Sequence, residues 1–396
     1  MNTPGAGQVG AEAGADGEAT VSGAVTLSPR RHRAPRRPDE GLDASIETTE
    51  APTRLTRREL AGVHEAGLQL LRALESVPDG DIVSELVATA IKLLRDDTNR
   101  GDLKLVNASL KEMRYALKVF APYREVRKCS IFGSARTPED HPDYAAAVEL
   151  GRRLAEAGWM VITGAGGGIM AAGHGGAGPG PSFGLAIRLP FEQKTNRFIE
   201  GDKKLINFKY FFTRKLMFVR SSHAVAIFPG GFGTMDEAFE VLTLIQTGKS
   251  VPAPVVLVDQ PGSSYWADWH GYVKKHLLDR KLICADDLAL YRITDSVDVA
   301  IDEIVTFYRN YHSVRYTRDE LVMRLHRPPT AAQLERINRD YASLLVKGEF
   351  RVSGPLAVER DEPSLAHLPR LVFAFNRRDH GRLRMLIDEL NRLPEM

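Results

Sequence analysis

With 396 residues, 43% hydrophobic and 26% charged, the chain is long enough for two domains or one large domain with extensions, and its composition is that of a globular protein. A formal net charge of +2 gives no argument for a nucleic-acid or membrane partner, and no apolar run approaches the ~18 residues of a membrane helix. Two cysteines, Cys129 and Cys284, lie far apart without CxxC spacing, which argues against a disulfide framework or a cysteine zinc site and fits a reducing compartment.

Residues 1–53 are rich in Gly, Ala, Pro, Thr and charge and poor in large apolar side chains, so a disordered tail is expected. Its start lacks the charged-then-apolar order of a signal peptide, and a cytoplasmic location is expected. The cluster Arg30-Arg31-His32-Arg33-Ala34-Pro35-Arg36-Arg37 either touches an acidic partner or is simply solvated. Residues 54–125 read as a helical extension. Thr56-Arg57-Arg58-Glu59 forms a capping-box pattern ahead of Leu60, Val63, Leu68, Leu71 and Leu74. Further helices are predicted over 82–94 and 103–120, with Pro78-Asp79-Gly80 before them and Ala121-Pro122-Tyr123 after.

From Lys128 short apolar strands alternate with helices. The strands are predicted at 129–132, 160–163, 183–189, 225–228 and 255–259, with helices such as 143–157 and 213–222 between them. Such alternation predicts an α/β fold over 126–310: a doubly wound, mainly parallel Rossmann-like sheet whose ligands bind at the carboxyl ends of its strands. Beyond Tyr308 the alternation breaks. A long strand over 314–325, a helix from Pro329 to about 346, a strand at 371–375 and a helix at 379–393 make a C-terminal α/β extension, 311–396. It covers a sheet edge, forms an oligomer interface or shapes the pocket.

Three glycine-containing loops sit at strand ends. Pro229-Gly230-Gly231-Phe232-Gly233-Thr234-Met235-Asp236-Glu237 joins an apolar strand to a helix. Glycines let backbone approach a ligand, and a helix N-terminus offers free N–H groups to an anion such as phosphate. Thr234 adds a hydroxyl. Glu237 is expected in the first turn, and the plainer reading of these residues is a tight turn with a Thr cap and a helix-stabilising Glu. Thr163-Gly164-Ala165-Gly166-Gly167-Gly168-Ile169-Met170 is a second candidate phosphate loop. It fits a dinucleotide fingerprint poorly, because Ile169 replaces the third Gly and the next strand carries no acidic residue for a ribose. The third loop, Gly133-Ser134-Ala135-Arg136, offers small residues, a hydroxyl and a cation. Arg214 and Lys215 open a helix, where one or both point into the cleft or form a solvated basic face. No metal-ligand cluster and no pyridoxal-type lysine context is visible, and no cofactor is expected.

Together these residues resemble the LOG ("Lonely Guy") family, long labelled as possible lysine decarboxylases. The signature PGGxGTxxE runs from Pro229 to Glu237. The family's Arg-Lys pair with a following Met is matched by Arg214, Lys215 and Met217, its glycine loop by Gly164 to Met170, and its first-strand turn by Gly133 and Ser134. The resemblance spans roughly 125–310, and the extensions are closer to the longer bacterial subgroup. It implies hydrolysis of the N-glycosidic bond of nucleoside 5′-monophosphates, AMP or cytokinin ribotides among them, to free base and ribose 5-phosphate. It also implies a homo-oligomer. By resemblance Arg214 and Glu237 are the catalytic pair. Substrate and phosphate binding fall to Gly133, Ser134, Gly166, Gly167, Gly168, Lys215, Gly230, Gly231, Phe232, Gly233, Thr234, Asp236 and Thr243. Asp236 and Glu240 are the reserve carboxylates. Longer members often read Ile-Met-Glu-Ala-Ala-Asn where this chain has Ile169-Met170-Ala171-Ala172-Gly173-His174, a departure expected to bear on substrate preference. A non-catalytic nucleotide- or cofactor-binding protein on the same fold is the alternative.

Overall fold

The computed structural model describes residues 77–188 and 195–392, with Gly62, Glu65 and Gly67. The expected tail 1–53 and the capping box and apolar stripe of 56–74 lie outside the described residues. Two helices come first, α1 (Gly80–Arg95) and α2 (Arg100–Phe120), the latter capped by Asn99, whose side chain accepts from Asp102 N.

A seven-stranded sheet follows, every neighbouring pair parallel, in the order β4-β3-β2-β1-β5-β6-β7. Its strands are β1 (Lys128–Phe132), β2 (Met160–Thr163), β3 (Ser182–Ile187), β4 (Leu205–Phe208), β5 (Ala224–Ile227), β6 (Val255–Val258) and β7 (Arg292–Thr294). The helices of this region are α3 (Pro142–Glu156), α4 (Ile169–Ala177), α5 (Phe211–Ser221), α6 (Phe232–Gln246), α7 (Tyr265–Tyr272) and α8 (Val297–Thr306). The central strands read as nearly continuous apolar runs because both faces are covered. On one face Ile131, Val161 and Ala226 meet Leu150, Leu154 and Ile301. On the other Phe132, Ile162 and Ile227 meet Met217, Phe218, Val241 and, from α2, Ala116 and Phe120. Strands β4 and β7 escaped the sequence reading. Leu205–Phe208 and Arg292–Thr294 are short edge strands, too brief to show a period.

The C-terminal region forms a four-stranded antiparallel sheet, β10-β11-β9-β8. Its inner face joins the core of the parallel sheet through Met323 and Phe373, with Leu386 of the helix over 380–392 packed into the same core. The single strand expected over 314–325 is a hairpin, β8 (Tyr311–Tyr316) and β9 (Leu321–Leu325), turned at Thr317, whose hydroxyl donates to Glu320 O. The helix expected to 346 stops as α9 (Ala331–Asp340). Its continuation is β10 (Leu345–Ser353), where the pairing with β11 (Arg370–Phe375) overrides local preference. Helix α10 (His380–Arg392) closes the chain as expected. Among the described residues no helix is long and apolar enough to cross a membrane.

Candidate functional site

Strand order reverses between β1 and β5, whose ends pair at Phe132 and Ile227. Loops leaving adjacent strands in opposite directions open a crevice at their carboxyl ends. A cleft of about 840 Å³ lies there, within the range of small-molecule sites. Ser134 N donates to Pro229 O at 3.1 Å and so ties the first loop to the third.

The signature loop runs straight into α6. Thr234 N and Met235 N both donate to Gly231 O, at 3.0 and 3.1 Å. Among the described residues no backbone bond uses the N–H of Phe232 or Gly233, the orphan donors of a helix start. They face a cleft that Gly230, Gly231, Phe232, Gly233 and Thr234 all line, an arrangement suited to an anion. Tyr265 on α7 clamps the loop from outside: its hydroxyl donates to Gly230 O and accepts from Gly230 N. Nothing in the spacing of the sequence pointed to Tyr265.

Helix α5 carries Arg214 into the cleft. Its start has no side-chain cap of its own, and α2 supplies the acceptors instead: Glu112 takes Lys209 N at 2.7 Å and the Thr213 hydroxyl at 2.6 Å. Arg214 Nε donates to Leu185 O at 2.8 Å, and the guanidinium packs on the Phe218 ring, 5.2 Å from its centroid. Burial pulls the pKa of Arg214 down while the charge of Glu237 pulls it up, with burial prevailing.

Glu237 lies in the second turn of α6, not the first as expected, because the helix already begins at Phe232. It is 7% exposed. Burial raises its carboxyl pKa, with Glu240 adding to the rise and Lys215 and Arg214 opposing it. Lys215 Nζ stands 3.3 Å from Glu237 Oε2, an ion-pair distance without hydrogen-bond geometry, so that oxygen has no hydrogen-bond partner. Lys215 does not line the cleft itself but contacts Asp236 and Glu237, which do. It donates to Glu240 at 2.6 Å and is ion-paired to Asp236 at 2.9 Å; burial opposes them, but these carboxylates raise the pKa of the amine. Glu240, read as a reserve carboxylate, is therefore Lys215's partner and does not line the cleft, whereas Asp236 does.

Gly133, Ser134 and Gly166 also line the cleft; Gly167, Gly168 and Thr243 do not. A β-carbon on Gly168 would run into Ser134 O, and Ile169 N donates to that same oxygen at 3.1 Å, so this glycine braces the Gly133–Arg136 loop. Thr243 is exposed on α6, where its carbonyl accepts from the Thr247 hydroxyl. Ala171 and His174, where the chain departs from its resembled family, are outside the cleft as well.

The second loop bends at Ala165, a non-glycine residue with φ 63°, which costs about 1–2 kcal/mol. Three bonds hold it: Ala165 N to Thr163 Oγ1 at 3.0 Å, Asn196 N to Ala165 O at 2.8 Å, and Asn196 Nδ2 to Gly166 O at 2.9 Å. Asn196 was not singled out from the sequence, since it follows the loop by thirty positions of chain with no local signal. Among the described residues no group of three or more His, Cys, Asp or Glu side chains is placed to hold a metal ion.

Residues 168–304 match the family model described as "Possible lysine decarboxylase". That is the label borne by the LOG family, and the span holds Arg214 and the whole PGGxGTxxE signature. The match begins at Gly168, so Gly133, Ser134 and Gly166 reach the same cleft only through the sheet. Among solved structures the chain is similar to the molybdenum cofactor binding protein of the phototrophic bacterium Rippkaea orientalis, with 20% identity over 46% of this chain and 96% of that one, and a TM-score of 0.32. It is similar to TM1055, with 22% identity over 45% and 97% and a TM-score of 0.34. It is also similar to DNA processing protein A from Streptococcus pneumoniae, with 12% identity over 46% and 62% and a TM-score of 0.30. No curated protein matches the chain.

Proposed function

We propose that the protein is a LOG-type hydrolase of nucleoside 5′-monophosphates, releasing free base and ribose 5-phosphate. One observation carries the reading: a buried carboxylate, Glu237, with an oxygen that is ion-paired to Lys215 but accepts no hydrogen bond, and a largely buried cation, Arg214, line the cleft into which the N-terminus of α6 opens. The helix start and the glycine loops hold the phosphate, a remote anchor that sets the glycosidic bond in place. Water adds to C1′, the C1′–N bond breaks, and the base leaves with the proton that water gives up. The transition state has oxocarbenium character, and Glu237 either stabilises that charge or orients the water and the ribose hydroxyls. Arg214 neutralises the phosphate or the departing base. Asp236, at the cleft edge, completes the polar lining. A second copy of the chain is the expected partner, and the cytoplasm the expected location.

The test is incubation of purified protein with AMP, GMP, IMP, CMP, UMP and isopentenyladenosine monophosphate, with base and ribose 5-phosphate followed by chromatography. Release from any one establishes the reaction and its base preference. Nucleotide binding without release from any of them moves the assignment to a non-catalytic nucleotide- or cofactor-binding protein.

A further inference from the structure

We propose that His174 is a positioning residue for the cleft: through Asn196 it holds the Ala165–Gly166 bend and, with it, the bed on which the Arg214 guanidinium lies. For its activity arm alone the inference rests on the hydrolase reading.

His174 sits on α4, 0% exposed and away from the cleft. Its Nε2 is 2.9 Å from Phe183 O. A carbonyl oxygen only accepts, so Nε2 carries the hydrogen, and the Thr163 hydroxyl oxygen lies within its reach at 3.1 Å. Nδ1 is then an acceptor, and Asn196 Nδ2 donates to it from 3.2 Å. The same amide nitrogen donates to Gly166 O, while Asn196 Oδ1 accepts from Phe198 N at 3.2 Å. One imidazole thereby sets the direction of the Asn196 amide, and that amide holds the loop. Thr163, on the other flank of the ring, accepts from Ala165 N. The bend is thus gripped on both sides by groups that touch His174.

The link to Arg214 is steric. A β-carbon on Gly164, next in the loop, would collide with Arg214 Nη2, so backbone and guanidinium are in direct contact. A shift of the bend displaces one or the other. Burial keeps the imidazole pKa below its ordinary value, against the pull of its hydrogen bonds and of Asp202, which favours the neutral tautomer used here. A proton on Nδ1 would end the donation from Asn196 Nδ2 and draw the ring toward Asn196 Oδ1, 3.4 Å away, disturbing the amide that holds Gly166. The motif that departs from the resembled family therefore acts on the cleft from behind.

The experiment compares His174→Phe with His174→Asn in the full chain. Phe keeps the ring's bulk without its hydrogen bonds; Asn places Oδ1 where Nδ1 stood. Three quantities are read: amide hydrogen exchange over 164–168, the Kd for ribose 5-phosphate, and kcat and KM on the best monophosphate. His174→Phe is expected to speed loop exchange and to weaken ribose 5-phosphate binding and kcat/KM by about ten- to a hundredfold, the scale of a small misplacement. His174→Asn is expected to recover most of each. A core-filling role predicts the reverse order, with Phe the milder change, and that order overturns the proposal, as does wild-type loop exchange in His174→Phe. If His174→Phe does not fold, Asn196→Asp, which removes the donor to Gly166 O, must speed loop exchange in the same way, and an unchanged loop overturns the proposal. If the wild type releases no base while loop exchange follows the expected order, the hydrolase reading falls and the positioning role stands.

Discussion

Two buried glutamates divide this molecule. Glu359, under the antiparallel sheet, is held by Arg324 and Arg370, which stand directly opposite each other on β9 and β11. Burial alone would raise its pKa, but Leu356 N, Arg370 and Arg324 outweigh it and the carboxyl sits below its ordinary value. Glu237, on α6, keeps one oxygen without a hydrogen bond, and its pKa is raised. Two buried carboxyls shifted in opposite directions thus separate a group whose hydrogen bonds are complete from one with an oxygen that accepts none. The first pins the segment between β10 and β11, without which two facing arginines would repel. The second is costly to leave in place, and it lines the cleft at the switch point of the parallel sheet.

The largest expected effect is in the satisfied cluster. Glu359→Ala leaves the buried Arg370 without an acidic partner and Arg324 with Glu362 alone, and should cost about 3–5 kcal/mol in denaturant unfolding. The native carboxyl titrates below its ordinary value, so its stabilisation is fully present above the unfolded-chain pKa and is lost as pH falls through the lower native one. Glu359→Gln should accordingly flatten the acid limb of the stability curve. Glu237→Gln should reverse the pattern: turnover of the best monophosphate falls about 10²–10³-fold, while Tm stays level or rises. The raised pKa means that the ionised carboxylate opposes folding at neutral pH, and the amide removes that cost. A drop in Tm with turnover retained would make Glu237 another structural glutamate and erase the comparison. Glu112→Ala, which frees the start of α5, should cost about 1–2 kcal/mol and raise KM through Arg214, read by unfolding and by steady-state kinetics. Smallest is Thr330→Ala at the capping box of α9, about 1 kcal/mol of stability with kcat/KM unchanged. A change in kcat/KM there would show that the C-terminal extension reaches the cleft.

Much of this was legible in the chain. The five central strands of the parallel sheet announce themselves because burial on both faces makes them continuous apolar runs. The helix beginning at the signature loop follows from glycine and the apolar period after it. The edge strands β4 and β7 have three or four residues and no period to read, and β10 carries Lys347, Gly348 and Glu349, residues that a strand acquires only from its partner. At the site, Arg214, Glu237 and the signature loop were found by motif. Asn196, Tyr265 and Glu112 were not, for each acts across the fold on backbone far away in sequence. Lys215 and Glu240 were misplaced because helical spacing tells which residues share a face but not which of two adjacent side chains turns toward the ligand.

The sequence by itself determined the α/β alternation, the three glycine loops at strand ends and the residues able to carry charge beside them. All of these are local, written in spacing and residue type. Only the tertiary structure decided which buried carboxylates, Glu237 at the cleft and Asp143 away from it, keep an oxygen that accepts no hydrogen bond, that His174 is sealed behind the second loop and not in the cleft, and that a helix of the extension holds the start of α5. Burial and hydrogen-bond completion are properties of what surrounds a group, and the surroundings exist only once the chain has folded.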